Sequence, residues 1–158
     1  MNILKPTTII EIVTILFVIL FLYTGISKII DYGVFKEQIA TSPILAPIAP
    51  YIAGALPWVE FLAVILLTIP RWRLVGLKVS VILMTLFTIY IIAMMTFSKD
   101  LPCSCGGVIE LLSWRAHIIF NSAFITLGLL GIIMQRRIKQ VMRQTLRGII
   151  QGELINSK

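Results

Sequence analysis

Long apolar runs separated by short polar interruptions make up nearly the whole chain. Four of these runs approach or exceed the roughly 20 residues an α-helix needs to cross a hydrocarbon core. They cover about residues 9–30, 50–69, 74–97 and 116–134. The two-residue alternation of a membrane β-barrel is absent, and in lipid the backbone must satisfy its own hydrogen bonds, so each run predicts a helix. The first run is too long for a signal-peptide core and lacks a small-residue cleavage site, so it is kept as a mature span.

The interruptions predict the connections. Pro70, Arg71, Trp72 and Arg73 form a tight polar turn between the second and third spans. Residues 98–115 form a longer loop, and residues 31–49 one longer still, carrying Pro43 and Pro47. With Pro50 and Pro57 following, this region predicts a broken or interfacial segment that leads into a span kinked near Pro57. After Met134 the helical period continues. Ile138, Val141, Met142, Thr145, Leu146, Ile149 and Ile150 lie among Arg137, Lys139, Gln140, Arg143, Gln144 and Arg147. The expected fold is an all-α integral membrane four-helix bundle over residues 1–134, with a basic amphipathic tail over 135–158.

Composition strengthens the membrane assignment. The chain has 158 residues, 58% of them hydrophobic and 13% charged, with a mean hydropathy of +0.98. A soluble domain of about 150 residues buries only about 70% of its surface, so this much apolar area excludes a soluble monomer. The net charge is +7. The basic residues sit between apolar runs and no aromatics interleave those of the tail, so lipid headgroups suit them and nucleic acid does not. Lys5, Arg71, Arg73, Lys78, Arg136, Arg137, Lys139, Arg143, Arg147 and Lys158 fall on one side of a four-span chain. The positive-inside rule makes that side cytoplasmic, with both termini inside. The tail then rests on anionic lipid or docks a cytoplasmic partner.

The opposite side carries Cys103 and Cys105, the chain's two cysteines. Outside the cytoplasm disulfides persist. A bridge between cysteines one residue apart must bend the chain to reach disulfide geometry, and Gly106 and Gly107 permit such a bend. The resulting bond is strained and reducible, which suits exchange chemistry better than stabilisation. Two alternatives stand beside this one: a permanent staple, and a copper or zinc site with His117 as third ligand. The fourth span starts directly after the loop, with Ser113 as a candidate N-cap. Trp114, His117 and Asn121 then share one helix face. The helix N-terminus and Arg115 favour a thiolate, and His117 can relay a proton. All three aromatic and polar residues also fit as interface anchors or interhelical contacts.

Glu60 lies within the second span, where a carboxylate is costly and should face the bundle interior. Lys28, at the outer end of the first span, is its nearest candidate partner, although their depths differ by about two helical turns. Glu11 reaches the inner interface and is expected to be structural.

The run from Phe21 to Lys28 with Gly25, the segment from Leu56 to Glu60, the pair Cys103 and Cys105 followed by two glycines, and Asn121 resemble, in that order, the MauE/DoxX group of small four-helix membrane proteins. The resemblance covers residues 9–134. It implies a component of an extracytoplasmic thiol–disulfide pathway in a bacterial inner membrane, working with a thioredoxin-like partner through Cys103 and Cys105. A membrane partner subunit is a further candidate. The DoxX branch is linked to quinone-coupled sulfur oxidation, which makes a quinone the candidate cofactor. Family resemblance alone does not settle chemistry. Because both cysteines face one side, thiol exchange alone cannot carry electrons across the membrane. The competing class is a non-enzymatic accessory subunit.

Overall fold

Four long helices and a short capping segment account for the architecture. The computed structural model describes residues 6–42, 45–97 and 114–156. Helix α1 spans Pro6–Ile30, α2 Tyr32–Ala40, a 3₁₀ turn Ala46–Ile48, α3 Ala49–Thr68, α4 Arg73–Phe97 and α5 Trp114–Asn156. Among the described residues, four helices are long and apolar enough to cross a membrane. The chain is an all-α membrane helix bundle. Its spans pack in the cyclic order α1, α3, α4, α5, with α5 closing against α1.

The core is a seam of side chains from all four spans. Val13, Phe17 and Phe21 of α1 meet Ala63 and Leu67 of α3, Leu77, Leu83 and Met84 of α4 and Ile132 of α5. Phe17 stands edge-on to Phe124 of α5, with ring centroids 5.3 Å apart. The outer faces are apolar too: Ile15, Ile19, Leu62, Ile65, Ile82, Leu86, Ile119 and Leu129 are all exposed. In water such a belt would aggregate; lipid covers it. Hydroxyls inside the spans bond back along their own helix, as Thr14 does to Ile10 O at 2.7 Å and Ser80 to Gly76 O at 2.8 Å. This satisfies donors that lipid cannot.

The structure adds detail to three sequence expectations. Helix α3 is unbroken across Pro57, which sits inside it, buried. The broken region lies wholly before it, as α2 and the 3₁₀ turn. The apolar tail is no separate element, because α5 runs as one helix of 43 residues from the fourth span to Asn156. Val141, Met142, Leu146, Ile149 and Ile150 along this extension are more than half exposed.

The turn after α3 depends on one glycine. A Cβ at Gly76 would stand 2.7 Å from Leu67 N and 2.8 Å from Leu66 C. These are backbone atoms at the end of α3 and cannot swing away. Gly76→Ala is expected to destabilise the protein by about 1–3 kcal/mol, outweighing the roughly 1 kcal/mol that alanine gains in helix propensity. Thermal unfolding in detergent checks this; a rise in Tm would mean that α3 and α4 are not in backbone contact here.

Candidate functional site

Connectivity places the ends of α1 and α4 and the starts of α3 and α5 at one end of the bundle. This is the end at which residues 98–113 join α4 to α5. Cys103, Cys105, Gly106, Gly107 and the candidate cap Ser113 lie in that connection, outside the described residues. The site can be built from the helices around it.

Its centre is a buried ion pair. Lys28 Nζ lies 2.8 Å from Glu60 Oε1, and the Glu60 side chain is 0% exposed against 14% for Lys28. The two-turn mismatch in depth is resolved by how α3 begins. Its first turns extend past the end of α1 and are covered by α2, where Ile39 packs on Ala49 and Ala53 with Phe35, Leu45 and Ile52 around them. Glu60 is thereby level with Gly25, where a Cβ would come within 3.1 Å of Phe61 and 3.3 Å of Glu60 Oε2. The missing side chain at Gly25 lets α3 approach, and Lys28, one turn further on, reaches back to the carboxylate.

Lys28 is held from four sides. It donates to Glu60 and, at 3.4 Å, to the Thr24 carbonyl. Its ammonium lies 5.5 Å from the Phe35 ring centroid and 5.7 Å from that of Phe87. Cation–π contacts of this kind strengthen when desolvated. One cation thus ties α1 to α2, α3 and α4. Two oxygens beside it, Glu60 Oε2 and Thr24 Oγ1, are fully buried, and the Thr24 side chain is itself a hydrogen-bond partner of Glu60.

The pair lines a cavity of about 540 Å³. Its walls are mostly apolar, including Phe21, Ile52, Leu56, Met84, Phe87 and Met94. Thr24, Lys28, Ser42, Glu60, Tyr90, His117 and Asn121 supply the polar lining, and Phe35 and Ile39 of α2 contribute to the outer rim. So His117 and Asn121, expected from helix spacing to share a face, do line one space, and they share it with Lys28 and Glu60 from the far side of the bundle. Trp114 opens α5 as its first residue, while Arg115 is exposed. Glu11 is also exposed, near the other end of the bundle. Among the described residues, no group of three His, Cys, Asp or Glu side chains could hold a metal ion. The Cys103, Cys105 and His117 set falls partly outside them.

Sequence reasoning missed Thr24, Phe35, Phe87 and Tyr90. Thr24 precedes Lys28 by one turn, and Tyr90 is a polar aromatic inside the third span, so both carried a readable signal. Phe35 and Phe87 carried none, because only the packing of α2 and α4 around Lys28 gives them a role.

The family model described as Methylamine utilisation protein MauE matches residues 6–134. The DoxX part of the expected resemblance has no support from that match. No curated protein and no solved structure matches the chain.

Proposed function

Because the chain belongs to the MauE family, we propose that it is the membrane component of an extracytoplasmic thiol–disulfide redox pathway, exchanging electrons between Cys103 and Cys105 and a thioredoxin-like partner. The observation that carries this reading is the position of the cavity. It opens within the half of the bundle from which the cysteine segment emerges, and the first turns of α5 after that segment place His117 and Asn121 in its wall. Polar groups from four helices converge in the half of the bundle at which residues 98–113 join α4 to α5.

In this proposal residues 1–134 form the membrane domain and 135–158 a cytoplasmic tail, with the cysteines on the outer side of a bacterial inner membrane. The turn carrying Arg71 and Arg73 and the basic extension of α5 share the opposite end, which supports that orientation. The exchange balances without a further reagent. A partner thiolate attacks the Cys103–Cys105 disulfide, a mixed disulfide forms and one cysteine leaves as thiolate. The partner's second thiol then resolves the mixed disulfide. The partner ends oxidised and this chain carries two thiols.

Cys103→Ala and Cys105→Ala variants test the proposal by trapping. At least one variant, expressed with its native envelope proteins and quenched with acid, is expected to yield a mixed disulfide with a thioredoxin-like protein. If neither variant traps a partner and the Cys103→Ser/Cys105→Ser double variant keeps full function, the cysteines are a staple or incidental, and the accessory-subunit reading replaces this one.

A further inference from the structure

The extension of α5 beyond the fourth span has no part in thiol exchange, and it lies outside the residues matched by the family model, 6–134. Residues 141–151 are exposed, yet Val141, Met142, Leu146, Ile149 and Ile150 among them are large and apolar. A contiguous exposed stripe of this kind marks an interaction surface. The direction and the phase of α5 decide what it meets.

Direction comes first. Neither proline nor glycine occurs between Ile132 and Arg147, and sharp helix kinks need such residues. The 43 residues of α5 form one helix. At 1.5 Å per residue that is about 64 Å, twice the roughly 30 Å of hydrocarbon. The extension therefore leaves the bilayer instead of turning onto its surface.

Phase says which way the stripe points. Within the span, Ile119, Leu129, Leu130 and Ile133 are exposed on the lipid-facing side. The opposite side carries Phe124, Gly128, Gly131 and Ile132 against α1 and α4. Continued at helical spacing, the lipid-facing side becomes Arg137, Gln140, Gln144, Arg147 and Gln151. The bundle-facing side becomes Ile138, Met142, Thr145 and Ile149, with Val141 and Leu146 beside them. The apolar stripe thus points beneath the bundle and away from lipid. There it meets the start of α1 in a groove of about 640 Å³, lined by Pro6, Met134, Arg137, Ile138, Val141 and Met142.

Charge selects the occupant. Lys139, Arg143 and Arg147 follow one another at one-turn spacing along one edge of the stripe, and Arg137 marks the other edge. No acidic residue falls between Ile132 and Gln151. A second copy would set these cations against its own, and its stripe would lie beneath its own bundle. We propose that the stripe docks an amphipathic helix of a cytoplasmic protein, apolar on one face and acidic along its edges. The apolar face of that helix seats on Val141, Met142 and Ile149, and its carboxylates pair with Lys139, Arg143 and Arg147. Calling the side cytoplasmic rests on the orientation proposed above; the docking does not.

The full chain in lipid nanodiscs tests this. The probe is a stapled, fluorescent helical peptide with a leucine stripe and glutamate edges. Saturable binding is expected, and a peptide of the same composition without the stripe should bind about tenfold more weakly or worse. Met142→Glu/Ile149→Glu is expected to cause a similar loss. Arg143→Glu/Arg147→Glu is expected to lose the acidic peptide and gain one with lysine edges. All four positions are exposed, so these variants keep the bundle intact. A spin label on Leu146→Cys, in the Cys103→Ser/Cys105→Ser protein, separates the other occupants. It is expected to stay open to water with or without phosphatidylglycerol in the disc, and to lose mobility when the peptide binds. A label immersed in lipid, coupled to the label of a second copy, or freed only by removing residues 1–5 overturns the assignment. So does peptide binding that is absent or that the variants leave unchanged. The thiol reading stands or falls separately, since mixed-disulfide trapping involves neither Leu146 nor the peptide.

Discussion

Glu60→Leu is expected to cost about 3–5 kcal/mol of stability, the range for removing one partner of a buried ion pair. The loss is large because of what stays behind. Lys28 is 14% exposed and surrounded by Phe35, Phe87 and the α1 backbone, so its ammonium has little exposed surface through which water could replace the carboxylate. Lys28→Met leaves the matching problem on Glu60, which is fully enclosed. The double variant Lys28→Met/Glu60→Leu removes both charges at similar volume and should return to within about 1 kcal/mol of the parent, or exceed it. Reversible unfolding in mixed micelles across the four proteins gives the coupling energy directly. A single-variant loss below about 1 kcal/mol would show that water reaches the pair. A pair that proves costly to break and dispensable for folding when removed whole would point to a role at the cavity that it lines.

The second large effect concerns the cysteines. The Cys103–Cys105 couple should have a reduction potential above about −270 mV, the region of catalytic dithiols, and not below about −300 mV, where structural bridges lie. Closing so short a ring strains the oxidised form and constrains the unfolded chain little. Every 30 mV or so is tenfold in the exchange equilibrium, so the gap between a structural bridge and one near −200 mV exceeds a thousandfold. Equilibration of the nanodisc-embedded protein with glutathione buffers, followed by alkylation and mass spectrometry, reads the value. A potential below about −300 mV would assign the bridge to stability and end the exchange proposal.

The four spans were legible because hydrocarbon imposes a single solution on each long apolar run, and the boundaries at Ile30, Thr68 and Phe97 follow from the polar residues beside them. The Lys28–Glu60 contact was legible only as a candidate. Two charges in apolar surroundings predict a pair, yet their register along the chain argues for different depths. The register misleads because it assumes that α1 ends level with the start of α3, whereas α2 folds against Ala49 and Ala53 and lets α3 begin further out. The cavity itself left no trace in the sequence. Its walls come from residues that look like ordinary span-filling side chains, and only the arrangement of all four spans leaves space between Met84, Phe87 and Phe120. Pro57 was read correctly as lying inside a span, and α3 continues through it.

The other half of the bundle has a consequence for charge. There Ile10, Val13, Phe17, Leu67 and Leu77 are at most 3% exposed, and the buried polar residues Thr14 and Ser80 turn their hydroxyls to their own backbones. That packing is an electrical insulator beneath the cavity. A proton or an ion moving from beside Lys28 and Glu60 toward the basic end of the bundle would have to cross this seam, whose buried hydroxyls are already bonded to backbone carbonyls.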